Sequence, residues 1–149
     1  MFGSTHLLCN GAAVIAEHDA LNATAARMRG LCKALTHEKK PPLVEIDRLL
    51  GRFSADLSAN FATEEQDGYF GSLVSLRPAF DARVAHLHAE HVHLVETVDA
   101  LRKRARTVRT DPQLGLLLGR TLDQFQAHEH SENRLLQEFF LLDEGGEGE

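Results

Sequence analysis

Apolar residues recur along this chain in steps of three and four, the spacing that returns a side chain to one face of an α-helix. Four such stripes stand out. The first runs Val14, His18, Leu21, Ala25, Met28, Cys32, Leu35. The second runs Leu43, Ile46, Leu50, Phe53, Leu57, Asn60, Glu64. The third runs Phe80, Val84, Leu87, His91, Leu94, Val98, Leu101. The fourth runs Leu114, Leu118, Thr121, Phe125, His128, Glu132, Leu135, Phe139. Breaks fall near Pro41–Pro42, near Pro78 and near Asp111–Pro112, where Asp111 has the form of an N-cap with Pro112 at the first helical position. The spacing predicts helices over roughly 11–38, 42–76, 78–108 and 111–142, with 143–149 a flexible Gly/Glu-rich tail. The second helix should loosen near Asp67–Gly68, since glycine costs about 1 kcal/mol in a helix interior. Tyr69, Phe70, Leu73 and Val74 carry the pattern onward. Four helices with short connections predict one all-α domain over 1–149, an antiparallel up-down-up-down four-helix bundle.

Each stripe is apolar except at one place, where it carries His or Glu. Ionisable groups in a core are costly unless they are paired or bind a metal. Their heights follow from counting, because residues equidistant from an antiparallel turn lie at one level, at about 1.5 Å of rise per residue. The midpoint of His18 and Glu64 is Pro41. That of Glu64 and His91 falls between Arg77 and Pro78, and that of His91 and the His128/Glu132 pair falls beside Pro112. All three midpoints coincide with breaks found independently. His18, Glu64, His91, His128 and Glu132 are therefore expected in one inward-facing layer. Three imidazoles and two carboxylates form a donor set that suits iron, manganese or zinc. His128 and Glu132 are four apart and share a helix face. A glutamate is also long enough to bridge two ions.

Other candidates carry less. His88 lies at the edge of its stripe, where a partly exposed side chain and a spare ligand are both open. His6, His37, His86, His93 and His130 fall off the stripes. Glu17, Glu90 and Glu129 each adjoin a stripe histidine and so point elsewhere, as supporting or surface groups. A ferritin-type site needs Glu-x-x-His on two helices, and the one such spacing here, Glu90 to His93, is off the stripe. No HExxH is present, which excludes that class of zinc protease.

Composition narrows the setting. A chain of 149 residues buries a core without disulfide staples. The net charge of -6 is unlike a duplex-binding module. The one basic run, Arg102, Lys103, Arg104, Arg106 and Arg109, complements a helix C-terminus, so no nucleic-acid partner is expected. Cys9 and Cys32 form no CxxC and imply no disulfide framework. There is no basic-then-apolar leader and no run of about 20 apolar residues, so a cytoplasmic protein without membrane attachment is expected.

Four stretches carry a resemblance: Glu17-His18-Asp19-Ala20-Leu21, Asn60-Phe61-Ala62-Thr63-Glu64-Glu65, Glu90-His91, and His128-Glu129-His130-Ser131-Glu132-Asn133. In order and spacing the chain resembles the hemerythrin-like, cation-binding HHE family. The resemblance implies a carboxylate-bridged di-iron centre in a four-helix bundle. His18 would bind one iron, His91 and His128 the other, and Glu64 and Glu132 would bridge; zinc or manganese also fits the donors. The family's members include oxygen carriers, oxygen or redox sensors and iron-responsive domains. The implied function is to sense, carry or buffer dioxygen, a related diatomic or peroxide ligand, or iron. Two alternatives stand beside it: a peroxidase- or oxidase-like di-iron enzyme with Tyr69 near the layer, and a degenerate, metal-free interaction module. The sequence departs from the family pattern at Asn60 and Leu87, where the family has His. In the family's oxygen carriers the last carboxylate comes five residues after its His; here Glu132 comes four after His128, and Asn133 stands at the fifth. Two imidazoles fewer leave more coordination positions to water.

Overall fold

The computed structural model describes residues 2–37, 40–65, 70–107 and 112–146, and the side chains within 16–37, 40–65, 70–107 and 112–141. The expected break at Asp67–Gly68, Tyr69 and the Asp111 cap lie outside the described residues, as do the side chains of His6 and Cys9. The described elements are all helical, with no strand among the described residues: α1 (Phe2–His37), α2 (Leu43–Glu64), α3 (Ser72–Leu76), a 3-10 turn (Pro78–Phe80), α4 (Asp81–Thr107) and α5 (Leu114–Gly146). Among the described residues no helix is long and apolar enough to cross a membrane.

The prolines set the boundaries by what they remove. Pro42 precedes α2 and supplies the carbonyl that accepts from Ile46 N–H at 3.0 Å, which starts the helical ladder. Arg77, directly before Pro78, is pushed out of the helical region to φ −136°, ψ 81° and ends α3. Pro78 then opens a 3-10 turn that leads directly into α4. At the last boundary Pro112 and Gln113 form a turn. The first recurring bond there runs from Leu117 N–H to Gln113 O at 2.9 Å, so α5 begins at Leu114. Where one helix was expected over 42–76, α2 ends at Glu64 and a separate α3 begins at Ser72. Five α-helices, rather than four, are therefore present among the described residues.

The four long helices pack in a ring. α1 and α4 each lie against both α2 and α5, and α3 packs on the 3-10 turn and on α1. Pairs across each contact run in opposite order. Arg27 meets Glu45 while His18 meets Glu64, and Arg29 meets Asp123 while Asn22 meets Glu129. Asp47 accepts from both Arg102 and Arg106, while Ser54 bonds Asp99. Two members of the basic run are thus held by an acid on the neighbouring helix.

The stripes fill the interior. Leu21, Ile46, Leu57 and Val98 are fully buried, as are Met28, Leu73 and Phe139. Buried apolar side chains form two clusters. The larger joins α1, α2, α4 and α5, and the smaller joins Phe70, α3, the 3-10 turn, α4 and α5. In α4 and α5 the clusters part at one height, with Leu87 and Leu94 flanking His91 and Phe125 and Leu135 flanking His128 and Glu132; in α1 and α2 the larger cluster stops at that height, with Leu21 after His18 and Phe61 before Glu64. A polar layer lies between them.

Candidate metal centre

Seven polar or charged side chains are buried among the described residues, and four of them are Glu64, His91, His128 and Glu132, each at 2% exposure or less. His18 joins them from α1 at 15% side-chain exposure. All five expected side chains come together. Glu132 Oε1 lies 2.7 Å from His128 Nε2 and 3.0 Å from His91 Nε2. Its Oε2 lies 3.3 Å from His18 Nε2. Glu64 stands 3.6 Å from His18 Nε2 through Oε2 and 3.6 Å from His91 Nε2 through Oε1. The three imidazoles thus turn the same nitrogen inward onto two carboxylates.

The outward nitrogens are also engaged, each by a carboxylate. His128 Nδ1 lies 2.7 Å from Glu90 Oε1, His91 Nδ1 is 3.1 Å from Glu65 Oε1, and His18 Nδ1 is 3.6 Å from Glu129 Oε1. Such an outer carboxylate fixes the ring's orientation and leaves Nε2 as the inward donor. Phe61 lies flat on His91, with ring centroids 3.7 Å apart and planes within 5°, and holds that ring from the side of the larger cluster. Every outer carboxylate sits next to an inward residue in sequence: Glu65 beside Glu64, Glu90 beside His91, Glu129 beside His128. A one-residue step turns a helix by about 100°, from the inward face toward the neighbouring helix. Off-stripe position alone marks Glu90 and Glu129 as supporting or surface groups and does not distinguish Glu65. The adjacency was the available signal.

The layer is short of hydrogen bonds. Both oxygens of Glu64, Oε2 of Glu132 and Nε2 of His128 are buried and make none. His128 Nε2 is close to Glu132 Oε1, but the approach is not aligned as a hydrogen bond. Four orphaned buried polar atoms in one layer, three of them carboxylate oxygens, are costly as they stand and are atoms a cation would satisfy. The five side chains form two groups, sharing Glu132, whose ligand atoms lie within 4.8 Å of one another: His91, His128 and Glu132; and His18, Glu64 and Glu132. The residues present therefore fit a metal.

The electrostatics express the same crowding. Burial pushes the Glu64 carboxyl up to about 9, against the pull of His18 and reinforced by Glu132. Burial opposes the His18 imidazolium, yet Glu132 and Glu64 outweigh it and hold its pKa up to about 10. His128 is raised in the same way, Glu132 and Glu90 overcoming burial. Glu132, although buried, is held well below the usual carboxylate range by His128, His18 and His91. Without a cation the layer thus retains protons on His18 and Glu64.

Not every candidate takes part. His88 is half-buried, with its ring centroid 5.9 Å from that of His91 and 5.9 Å from Phe70, and belongs to neither donor group. His86 and His93 are exposed on α4, although His86 reaches Glu90 at 3.4 Å. Asn60 is buried beside the layer and donates to Glu17.

An all-helical domain that carries histidines and carboxylates into its interior is built to hold a cation. The model of the hemerythrin HHE cation binding domain matches residues 12–140, and the chain belongs to that family. It is a cation-binding helical domain, as its four sequence motifs imply. Comparison with curated proteins and with solved structures found no match.

Proposed function

We propose that the protein is a non-haem iron protein that senses, carries or buffers dioxygen, a related small oxidant, or iron itself in the cytoplasm. Its four long helices form an antiparallel up-down-up-down bundle of the hemerythrin type, with α3 set off from the second helix. His91, His128 and His18 would hold the metal with their inward imidazoles, and Glu64 and Glu132 would be the carboxylates shared between two ions. One observation carries this reading: Glu64 and Glu132 sit at 0% and 1% exposure with unpartnered oxygens among three inward imidazole nitrogens. A bound iron pair supplies reversible redox chemistry and open positions for a small ligand. The chain does the rest. Glu65, Glu90 and Glu129 orient the imidazoles, Phe61 and the two apolar clusters exclude water, and His18 and Glu64 give up protons as the cation enters.

The test is metal analysis of protein purified with and without air, together with absorption spectra. About two irons per chain are expected, with the near-ultraviolet charge-transfer absorption of a carboxylate-bridged ferric pair, both lost in Glu132→Ala. Protein free of iron and of any other transition metal after both preparations would overturn the reading.

A further inference from the structure

The two donor groups are chemically unlike. One offers two imidazoles and a carboxylate, His91, His128 and Glu132; the other offers one imidazole and two carboxylates, His18, Glu64 and Glu132. Asn60 lies one helical turn before Glu64, on the same face of α2, and is 1% exposed. Its Nδ2 donates to Glu17 Oε2 at 2.7 Å, and the other oxygen of Glu17 accepts from Thr63 Oγ1 at 3.0 Å. Only the NH2 branch of an amide can donate to a carboxylate, so this bond fixes which way the amide is turned. The carbonyl branch is the one directed away from Glu17.

We propose, building on the metal-binding reading above, that Glu17 locks Asn60 so that its carbonyl oxygen completes the His18–Glu64–Glu132 group, making the two positions unequal. The His91–His128–Glu132 position is nitrogen-rich and binds a transition metal first and tightly. The other position is oxygen-rich, binds second, exchanges more readily and accepts a harder cation such as Mn2+. Imidazole favours zinc and iron, whereas carboxylate and carbonyl oxygens suit manganese and magnesium. The outer carboxylates sharpen the contrast. Glu65 and Glu90 back both imidazoles of the first position at 3.1 and 2.7 Å, whereas at the second Glu129 stands 3.6 Å from the one imidazole and Glu17 backs an amide. Asn60 is thus a specificity-determining residue, and Glu17 is a positioning residue that acts through it.

Calorimetric titration of the metal-free full chain with Zn2+, and separately with Mn2+ followed by electron paramagnetic resonance, tests this. Two Zn2+ steps at least about tenfold apart are expected, the scale on which ligand-supporting groups act. One Mn2+ should bind per chain and should still bind after one equivalent of Zn2+ has been added. Glu17→Ala should weaken the second Zn2+ step about 10- to 100-fold and leave the first unchanged. Asn60→His should narrow the gap and abolish Mn2+ binding to the half-loaded protein. Should Asn60→His fail to fold by circular dichroism, Glu17→Ala, at a partly exposed position, decides the matter by itself. Two equal steps, or a Glu17→Ala effect shared equally by both, would overturn this inference and leave the metal reading intact. Absence of any step would overturn both.

Discussion

The polar layer divides the apolar interior into two unequal parts, and each is built differently. On the side of the α2 start, the larger cluster draws side chains from all four long helices. It is mainly aliphatic, with Phe53 and Phe125 edge to face at 5.0 Å and 80°. On the other side, the smaller cluster consists of Phe70, Leu73, Phe80, Val84, Leu87, Leu135 and Phe139, with no described side chain from α1. Burial of apolar area is the dominant favourable contribution to folding, so the larger cluster supplies most of what holds the helices together. The smaller one chiefly closes the far side of the layer. The difference teaches where this fold can carry costly, unpartnered carboxylates: at the edge of its strongest packing, under a second apolar lid.

That contrast can be broken by truncation. Phe53→Ala, about three turns from Glu64, should cost about 3–5 kcal/mol in urea unfolding while the folded protein retains its metal content and affinity. Leu135→Ala lies three residues from Glu132. It should cost about 2–5 kcal/mol and also weaken metal binding, since the wall behind a ligand is removed. Equal effects of the two on metal affinity would remove the distinction.

Metal removal comes next in size. A cation that binds only the native state at a hundred times its dissociation constant should add about 2.7 kcal/mol. The gap should widen as pH rises. Glu64 has a folded pKa of about 9 against 4.5 unfolded, and His18 about 10 against 6.5. Both are raised, so the stability they lend to the metal-free protein is present at low pH and drains away as pH rises through these values. Glu132 is depressed and contributes fully above the ordinary carboxylate range. The cation needs His18 and Glu64 deprotonated, so its affinity should rise with pH until these same values, about 9 and about 10, are passed. Melting temperatures of chelated and loaded protein should therefore diverge with pH, and calorimetry in buffers of different ionisation enthalpy should register proton release.

The smallest effects sharpen the comparison at the periphery of the larger cluster. A Cβ at Gly115 would meet Thr36 Oγ1 and come 2.6 Å from the Cys32 carbonyl, where α5 rests on α1. Gly115→Ala should therefore destabilise by about 1–3 kcal/mol. A Cβ at Gly30 meets nothing within 4 Å. There the same substitution should stabilise by about 0.5–1 kcal/mol, since glycine is the poorer helix former. Thermal melts of the pair should shift in opposite directions.

Much of this architecture was legible in the sequence because it depends on period and counting. The stripes identified Leu21, Met28, Ile46, Leu57 and Val98 as interior, and the prolines as folding points gave the common height of His18, Glu64, His91, His128 and Glu132. What escaped depends on three-dimensional neighbours. The apolar pattern carries on past Glu64 through Phe70, Leu73 and Val74, yet α2 ends at Glu64 and α3 begins at Ser72, because periodicity records which face a residue takes and not where an element ends. The start of α5 moved to Leu114 because a turn at Pro112–Gln113 precedes the first recurring bond. Glu65, Glu90 and Glu129 fall off the stripes, and that step brings them to the outward nitrogens of histidines on other helices. Which helix each one reaches follows only from packing. Glu17 with Asn60 is the same case, two residues 43 apart joined by one hydrogen bond.

Anomalous scattering at the iron and zinc edges, from crystals of the protein as purified, tests the central claim most directly. Ions are expected within bonding distance of His91, His128 and Glu132, and, at second occupancy, of His18, Glu64 and Glu132. A map with no anomalous peak among these five side chains, while they pair only with one another, would contradict it.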